Sequence, residues 1–470
     1  MGIKGLWPLL ASAKETRNLT ELAFTEGFQR NNRQQRALVL AVDGPGMLDS
    51  LKAGSHNGVH STSPLESFFG LLCKFNKAAV NLLFVFEGPN RPDEKRGKKV
   101  RSTVPRLYRE AQELVDAFGY VSKEAEGEAD YLLAFLSREG HVDGVISEDS
   151  DLLALGANNI LRKTRGSPSS ELKYDIYSLD SVTESAGLDR DGIILVGLLS
   201  GNDTQRGLSD CGIGTAIQLG RSGLGKDLMD GFRLYSADPI LQNGFVESWR
   251  AELRDELTHN RRGYLERRRP SAAARVDTDF PDSAALEDYA YPPSGIDPVG
   301  LQVLIKNLKT PRQPDIARIV SFCKERFRWS NDEIIHRLSP NFFKAVVYRL
   351  LQSPLVVFDR RQLTFRERYW KTELKRESPT TSLKNGVESV HATFTVKDIM
   401  AISSLPVSWP ETVTLWVPLG VLSIAKLPRG LPQEQFDLAA LGMVDDADDD
   451  IEIVYVRKRA KNGEYFLQVD

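Results

Sequence analysis

The side chains best suited to chemistry in this sequence are carboxylates that follow short apolar runs. ALVLAV leads into Asp43, NLLFVF into Glu87, and VDGVI, through Ser147, into Asp149 and Asp151. Glu128 and Asp130 open the amphipathic segment ADYLLAFL, with Glu126 just ahead of them, and Asp203 follows GIILVGLLSGN. Like charges gathered in partly dry surroundings repel and raise one another's pKa, so such a set is tolerable only with cations among it. Oxygen donors without histidine or cysteine select Mg2+ or Mn2+ over zinc, and none of the six histidines falls near these motifs. Two such ions about 4 Å apart suit phosphodiester hydrolysis, activating a water and stabilising the leaving oxygen. A few residues beyond Glu87, RPDEKRGKKVR offers Lys95 and Arg96 to draw in the scissile phosphate. Plainer readings stand beside these. A solvated helix face accounts for the basic run, and acids in a first helical turn satisfy unpaired amides without any metal.

The elements that must position these groups follow from periodicity. Ala37 to Val42, Asn81 to Phe86 and Val142 to Ile146 are short, branched-rich runs expected to form buried strands. Ser63 to Val80 and Ala129 to Arg138 place apolar residues at helical spacing between them, so an α/β fold with a mostly parallel central sheet flanked by helices is expected. In such a sheet the crevice beyond the carboxyl ends of the strands is where ligands bind, and the acids should meet there.

The 470 residues, 41% hydrophobic and 27% charged, exclude wholesale disorder, collagen-like repetition and a coiled-coil rod. No apolar run reaches the ~20 residues that span a bilayer. The N-terminus lacks the core and cleavage site of a secretory signal, and Leu6 stands where myristoylation wants Ser or Thr. Three scattered cysteines form neither a disulfide framework nor a zinc pattern, which implies a reducing, intracellular compartment. Net charge is only −3, but basic residues crowd Arg91 to Arg109, Arg254 to Arg275 with seven arginines, and Arg312 to Arg349. Acids crowd 444–452. That asymmetry suits a protein gripping phosphates on one surface and cations on another. The stretch 254–298 reads as a basic loop, helices resume at Val299 to Leu308 and from Asp315 to Leu351 with Ser330 as an N-cap, and β-rich stretches (VVF, ATFTV, TVTLWV, VLSIA, IEIVYV, EYFLQV) follow Leu355.

MGIKGLW, VDG at Val42 to Gly44, FEG at Phe86 to Gly88, GEAD at Gly127 to Asp130, SEDSD at Ser147 to Asp151, and GND followed by CGIG together resemble the flap-endonuclease/XPG structure-specific nucleases over residues 1 to about 350. The resemblance implies a PIN-like core. It implies that Asp43, Glu87, Glu128, Asp130, Asp149, Asp151 and Asp203 bind metal, whereas Glu126 matches none of the family's acids. GLSDCGIGTAIQLG resembles the family's helix-two-turn-helix, in which Gly212-Ile213-Gly214, with Thr215, approaches duplex phosphates beside a K+ ion; an ordinary helix cap is the alternative. Lys98, Lys99 and Arg101 join the expected DNA contacts.

By the same resemblance the chain divides into nuclease regions at 1–110 and 111–253, with the helix-two-turn-helix at about 205–232. A basic loop at 254–298, a helical end of the core at 299–355 and a β-rich, chromodomain-like module at 385–470 follow. About 40 residues separate Glu87 from Glu128, room for a short arch only, which resembles the eukaryotic Holliday-junction resolvase branch. The implied activity is Mg2+-dependent paired nicking of four-way junctions and cleavage of 5′ flaps, by a protein monomeric in solution and dimeric on the junction, with access to nuclear DNA. A 5′-flap or excision-repair nuclease and a non-catalytic junction-binding scaffold are the alternatives.

Overall fold

The computed structural model describes residues 2–427, apart from 31–35, 57–62, 79, 92–93, 96–97, 100–104, 168–171, 203–204, 310–311, 339–340, 369, 385 and 403–410, and beyond them only 458–459 and 465–466. The acidic run at 444–452 and the IEIVYV segment lie outside the described residues, as do the side chains at 94–95 and 98–99.

Seven strands form the principal sheet: β1 (Lys14–Asn18), β2 (Val39–Asp43), β3 (Asn81–Phe86), β4 (Val121–Glu124), β5 (Gly144–Ile146), β6 (Asn159–Lys163) and β7 (Lys173–Ser178). Their order is β1-β7-β6-β5-β2-β3-β4. β6, β5, β2, β3 and β4 run parallel, while β7 and β1 add an antiparallel edge. Every residue of β2 is buried because both faces of the sheet are covered. Side chains alternate between the faces with the period of two that a strand imposes. Leu40 and Val42 enter one core with Phe68 and Phe84, and Val39 and Ala41 enter the other with Leu83, Val85 and Val145.

On the first face lie α1 (Pro64–Ala78) and α2 (Arg106–Ala117), and on the second α3 (Ala129–Arg138) and α5 (Arg190–Ser200). A single-turn helix, α4 (Asp151–Ala154), follows β5. The expected strands and helices thus appear within a few residues of where the periodicity puts them.

After α5 come α6 (Ile213–Gly220) and α7 (Leu224–Leu234), joined by a turn at Gly223, whose φ of 85° suits glycine, and then the long α8 (Pro239–His259). The expected loop at 254–298 is different in kind. It begins inside α8, carries a one-turn helix at Pro270–Ala273 and a full helix, α9 (Ser283–Ala290), and buries Leu265, Ala272, Val276, Leu286 and Tyr289 in the second core. Sparse apolar positions, each separately buried, hold it without a periodic stripe. Further along, α10 (Asn331–Leu338) starts at a reciprocal cap: Ser330 Oγ accepts from Glu333 N at 3.2 Å, and Ser330 N donates to Glu333 Oε2 at 2.8 Å.

A second, antiparallel sheet follows α11 (Phe342–Gln352): β8 (Val357–Asp359), β9 (Thr364–Glu367), β10 (Trp370–Lys384), β11 (Val387–Thr395) and β12 (Thr412–Pro418), in that order. It begins well before residue 385. VLSIA, expected as a strand, lies in a helix, α12 (Leu419–Ala425), because its Val421, Leu422 and Ala425 bury one helical face. Phe365, Val390, Phe394, Val417 and Leu422 join the same buried cluster as Phe24, Phe118 and Val346, so this sheet packs onto the first face of the principal core.

Candidate active site and DNA-facing turn

The acids gather where the parallel strands end. Asp43 closes β2, Glu87 follows β3, and Asp149 and Asp151 follow β5. Asp43 is buried; its Oδ1 accepts from Gly46 N at 2.8 Å and its Oδ2 from Ser147 Oγ at 3.0 Å. Ser147 Oγ in turn accepts from Asp149 N at 3.0 Å, and Asp149 Oδ1 accepts from Asp151 N at 2.9 Å. A relay of hydrogen bonds thus links the ends of two adjacent strands. Burial, assisted by the charges of Asp149 and Glu87, pushes Asp43 up to about 6 despite the hydrogen bonds that favour its ionised form.

Glu87 Oε2 accepts from Ala129 N at 3.3 Å, which ties the end of β3 to the start of α3, where Glu128 is the N-cap and Asp130 lies in the first turn. Gly88 N bonds to Gly127 O at 2.7 Å, and a Cβ on Gly88 would lie 1.9 Å from Ala125 O. FEG and GEAD are therefore interlocked backbones, with glycine required for the close approach. Glu148, the first acid of SEDSD, turns the other way: Arg162 Nε meets its Oε2 at 3.1 Å, and that guanidinium lies 4.4 Å from the ring centroid of Trp7.

Several partners escaped sequence reasoning. Gly2 packs directly on the acids: with φ at 76°, an added Cβ would sit 2.2 Å from Asp149 Oδ1 and 2.8 Å from Asp151 N. Tyr289, from α9, is buried; its hydroxyl accepts from Asn202 Nδ2 at 2.8 Å, and burial with the nearby charge of Asp151 pushes it far above the ordinary phenol range. Beside it on α9, Asp288 is raised by burial, and Tyr131 bonds to its carboxylate and feels Glu128 and Asp130. Gly2 and Asn202 stood inside quoted motifs. Nothing local marked Tyr289 or Asp288.

Asp203 lies outside the described residues, although Asn202 beside it is held both by Tyr289 and by its own turn, in which its Oδ1 accepts from Gln205 N at 2.8 Å. Lys95, Lys98 and Lys99 fall in a two-residue antiparallel ladder, Glu94–Lys95 with Lys98–Lys99, while Arg96 and Arg101 lie outside the described residues. Among the described residues no three of these carboxylates are disposed around one point as metal ligands. Their chemistry nonetheless fits a hard divalent ion. The donors are all oxygen, and the burial and like charge that raise Asp43 are relieved by a cation.

The segment 119–203 matches the XPG I-region family. Mouse "Flap endonuclease GEN homolog 1" is 25% identical over 259 residues, covering 51% of this chain and 27% of that protein, and Drosophila melanogaster "Flap endonuclease GEN" is 28% identical over 287, covering 54% and 36%. The chain therefore spans only about a third of these curated relatives. A solved structure of the "eukaryotic junction-resolving enzyme GEN-1 binding with Cesium" superposes with a TM-score of 0.69 at 25% identity, over 90% of this chain and 97% of that one. The chain thus carries a segment that matches the XPG I-region and shares its fold with a junction-resolving enzyme. A GEN1 structure "in complex with product DNA and Mg2+ ion" shares the fold at a TM-score of 0.68 and 23% identity.

α6 and α7 lie where the sequence resembles a helix-two-turn-helix. Gly212 is the N-cap of α6 with extended backbone (φ −76°, ψ 167°), and Ile213 and Gly214 begin the helix, with Thr215 buried behind them. A Cβ on Gly212 or Gly214 would meet no atom of the described residues within 4 Å, so no packing among them calls for glycine at either position. Two open glycines at a helix start leave backbone N–H groups accessible to phosphate.

Proposed function

We propose that this chain is a Mg2+-dependent, structure-specific DNA endonuclease that resolves four-way junctions by paired nicks and also cuts 5′ flaps, leaving 5′-phosphate and 3′-hydroxyl ends. The observation that carries the reading is Asp43 at a strand end, where burial, with the charges of Asp149 and Glu87 adding to it, raises the carboxyl to about 6. Asp43, Glu87, Glu128, Asp130, Asp149, Asp151 and Asp203 would hold two Mg2+ ions, with Mn2+ as a substitute. When bound, such ions supply an activated water and neutralise the leaving oxygen. The protein's own part is positional: Ser147 holds Asp43 against Asp149, and Ala129 N holds Glu87 beside Glu128. Lys95 and Arg96 would orient the scissile phosphate. Gly212, Ile213, Gly214 and Thr215, with a K+ ion at the turn, would grip a duplex arm, and Lys98, Lys99 and Arg101 would add phosphate contacts.

Cutting a symmetric junction needs two such centres, so the protein would act as a homodimer on the junction while monomeric in solution, with access to nuclear DNA. The similarity to a solved junction-resolving enzyme supports this reading over excision repair. The test uses a supercoiled plasmid carrying a cruciform, with the unmodified chain and with Asp43→Asn and Asp149→Asn. Linear product from the unmodified chain and none from either variant, with junction binding retained, is the expected result. Nicked circles alone would favour a flap nuclease, and binding without any cleavage in Mg2+ would favour a scaffold.

A further inference from the structure

The arginine-rich stretch that follows α8 has no part in the site described so far, yet it is fastened along α6. Asn260 pins its start with two bonds to Leu265, Nδ2 to O at 2.7 Å and Oδ1 from N at 2.9 Å. Arg269 N, at its far end, donates to Leu257 O at 2.6 Å. Glu266 N donates to Gln218 Oε1 at 3.2 Å, the charge of Arg269 is felt by Cys211, and Arg275 Nε lies 3.6 Å from Asp210 Oδ2. Residues 266 to 275 therefore run antiparallel to 218 to 210, back along the helix that begins at the glycine turn.

The arginines divide into two kinds. Arg254 is paired with Glu247, Arg261 with Asp255, Arg262 with Asp227 and Glu252, and Arg275 with Asp210. Arg262 also donates to Ser222 O at 2.8 Å, locking the stretch to the turn between α6 and α7. Arg267 and Arg268 lie between the two anchors. Both are exposed, and among the described residues neither makes an ion pair, with neighbouring Glu266 included. A loop held this firmly that presents two unneutralised guanidinium groups beside an amide-lined turn has the chemistry of a phosphate clamp.

We propose that Arg267 and Arg268 form a second phosphate-contacting surface, gripping the sugar-phosphate backbone of the duplex arm engaged by Gly212-Ile213-Gly214 and lengthening the footprint along α6. The proposal rests on the DNA-binding reading above. The contacts are to backbone and carry no sequence preference.

The test measures binding of the full chain to a four-way junction by fluorescence anisotropy, with Ca2+ replacing Mg2+, across a salt series. The unmodified chain is compared with R267Q/R268Q, R267K/R268K and R261Q. Two lost phosphate contacts should lower the slope of log affinity against log salt by about 1.8 and weaken binding about tenfold. R267K/R268K should restore most of the slope, and R261Q, whose guanidinium is paired with Asp255, should keep it. A double variant with unaltered slope, or an equal loss in R261Q, would overturn the proposal while leaving junction binding itself intact. Failure of the unmodified chain to bind would instead remove the DNA-binding reading and this one with it.

Discussion

At the scale of single residues, Asp43 sets the electrostatic character of the site. Its carboxyl titrates at about 6, well above the 3.8 of an open chain, so between those values the folded protein holds a proton that the unfolded one has released. Stability therefore falls as pH rises from about 4 to 6 and stays at the lower level above that. Asp43→Asn should stabilise the metal-free protein at neutral pH by about 1–2 kcal/mol, read as a higher Tm in chelator, and Mg2+ should raise the Tm of the unmodified chain more than that of the variant. Cleavage at limiting Mg2+ should rise with pH through about 6, where Asp43 becomes available as an anion. Gly2 offers a steric test of the same pocket. A methyl group there would strike Asp149 Oδ1 and the Asp151 amide in a left-handed backbone conformation. Gly2→Ala should reduce Mg2+-dependent cleavage at least tenfold while far-UV circular dichroism stays unchanged.

At the scale of elements, legibility in the sequence tracked local pattern. β2 and β3 were legible because branched apolar runs ended abruptly in acid, and α3 because Leu132, Leu133 and Leu136 mark a buried stripe. α9 was not. It carries three buried residues, and its role depends on Tyr289 meeting Asn202 from far away in the chain, which no window of sequence contains. The arginines around it read as loop because the acids that neutralise them lie on α7, α8 and the segment before α6. α12 was misread because VLSIA is β-branched, yet its burial follows a helix. The glycine turn at the start of α6 carries its own prediction. Since none of the described residues occupies the space beside Gly214, Gly214→Ala should leave stability level or raise it by up to about 1 kcal/mol, as alanine favours helix. Junction affinity should nevertheless fall several-fold in anisotropy titrations, because the added methyl lies where a phosphate would approach.

At the scale of the whole molecule, the antiparallel sheet and the principal core share one buried cluster, in which Phe394, Val417 and Leu422 join residues such as Phe24 and Val346. The expectation of an appended β-rich unit starting near 385 came from the change of pattern alone, which cannot register that the sheet's inner face is the core's own outer layer. Leu422→Ala should therefore destabilise the entire described structure by about 2–5 kcal/mol within a single calorimetric transition. A separate low-temperature transition, with the remainder melting as before, would show that the two sheets fold apart.

The placement of Gly2 against Asp149 and of Tyr289 close enough to Asp151 to feel its charge bears on biosynthesis. The pocket borrows one wall from a residue that precedes Asp43 in the chain and another from a helix that follows Asp151 by more than a hundred positions. A partial translation product carrying every acid from Asp43 to Asp151 still lacks that second wall. On the proposed function, competence to cut would then arrive only once α9 has been made, sparing nucleic acid from a partial product that already carries those acids.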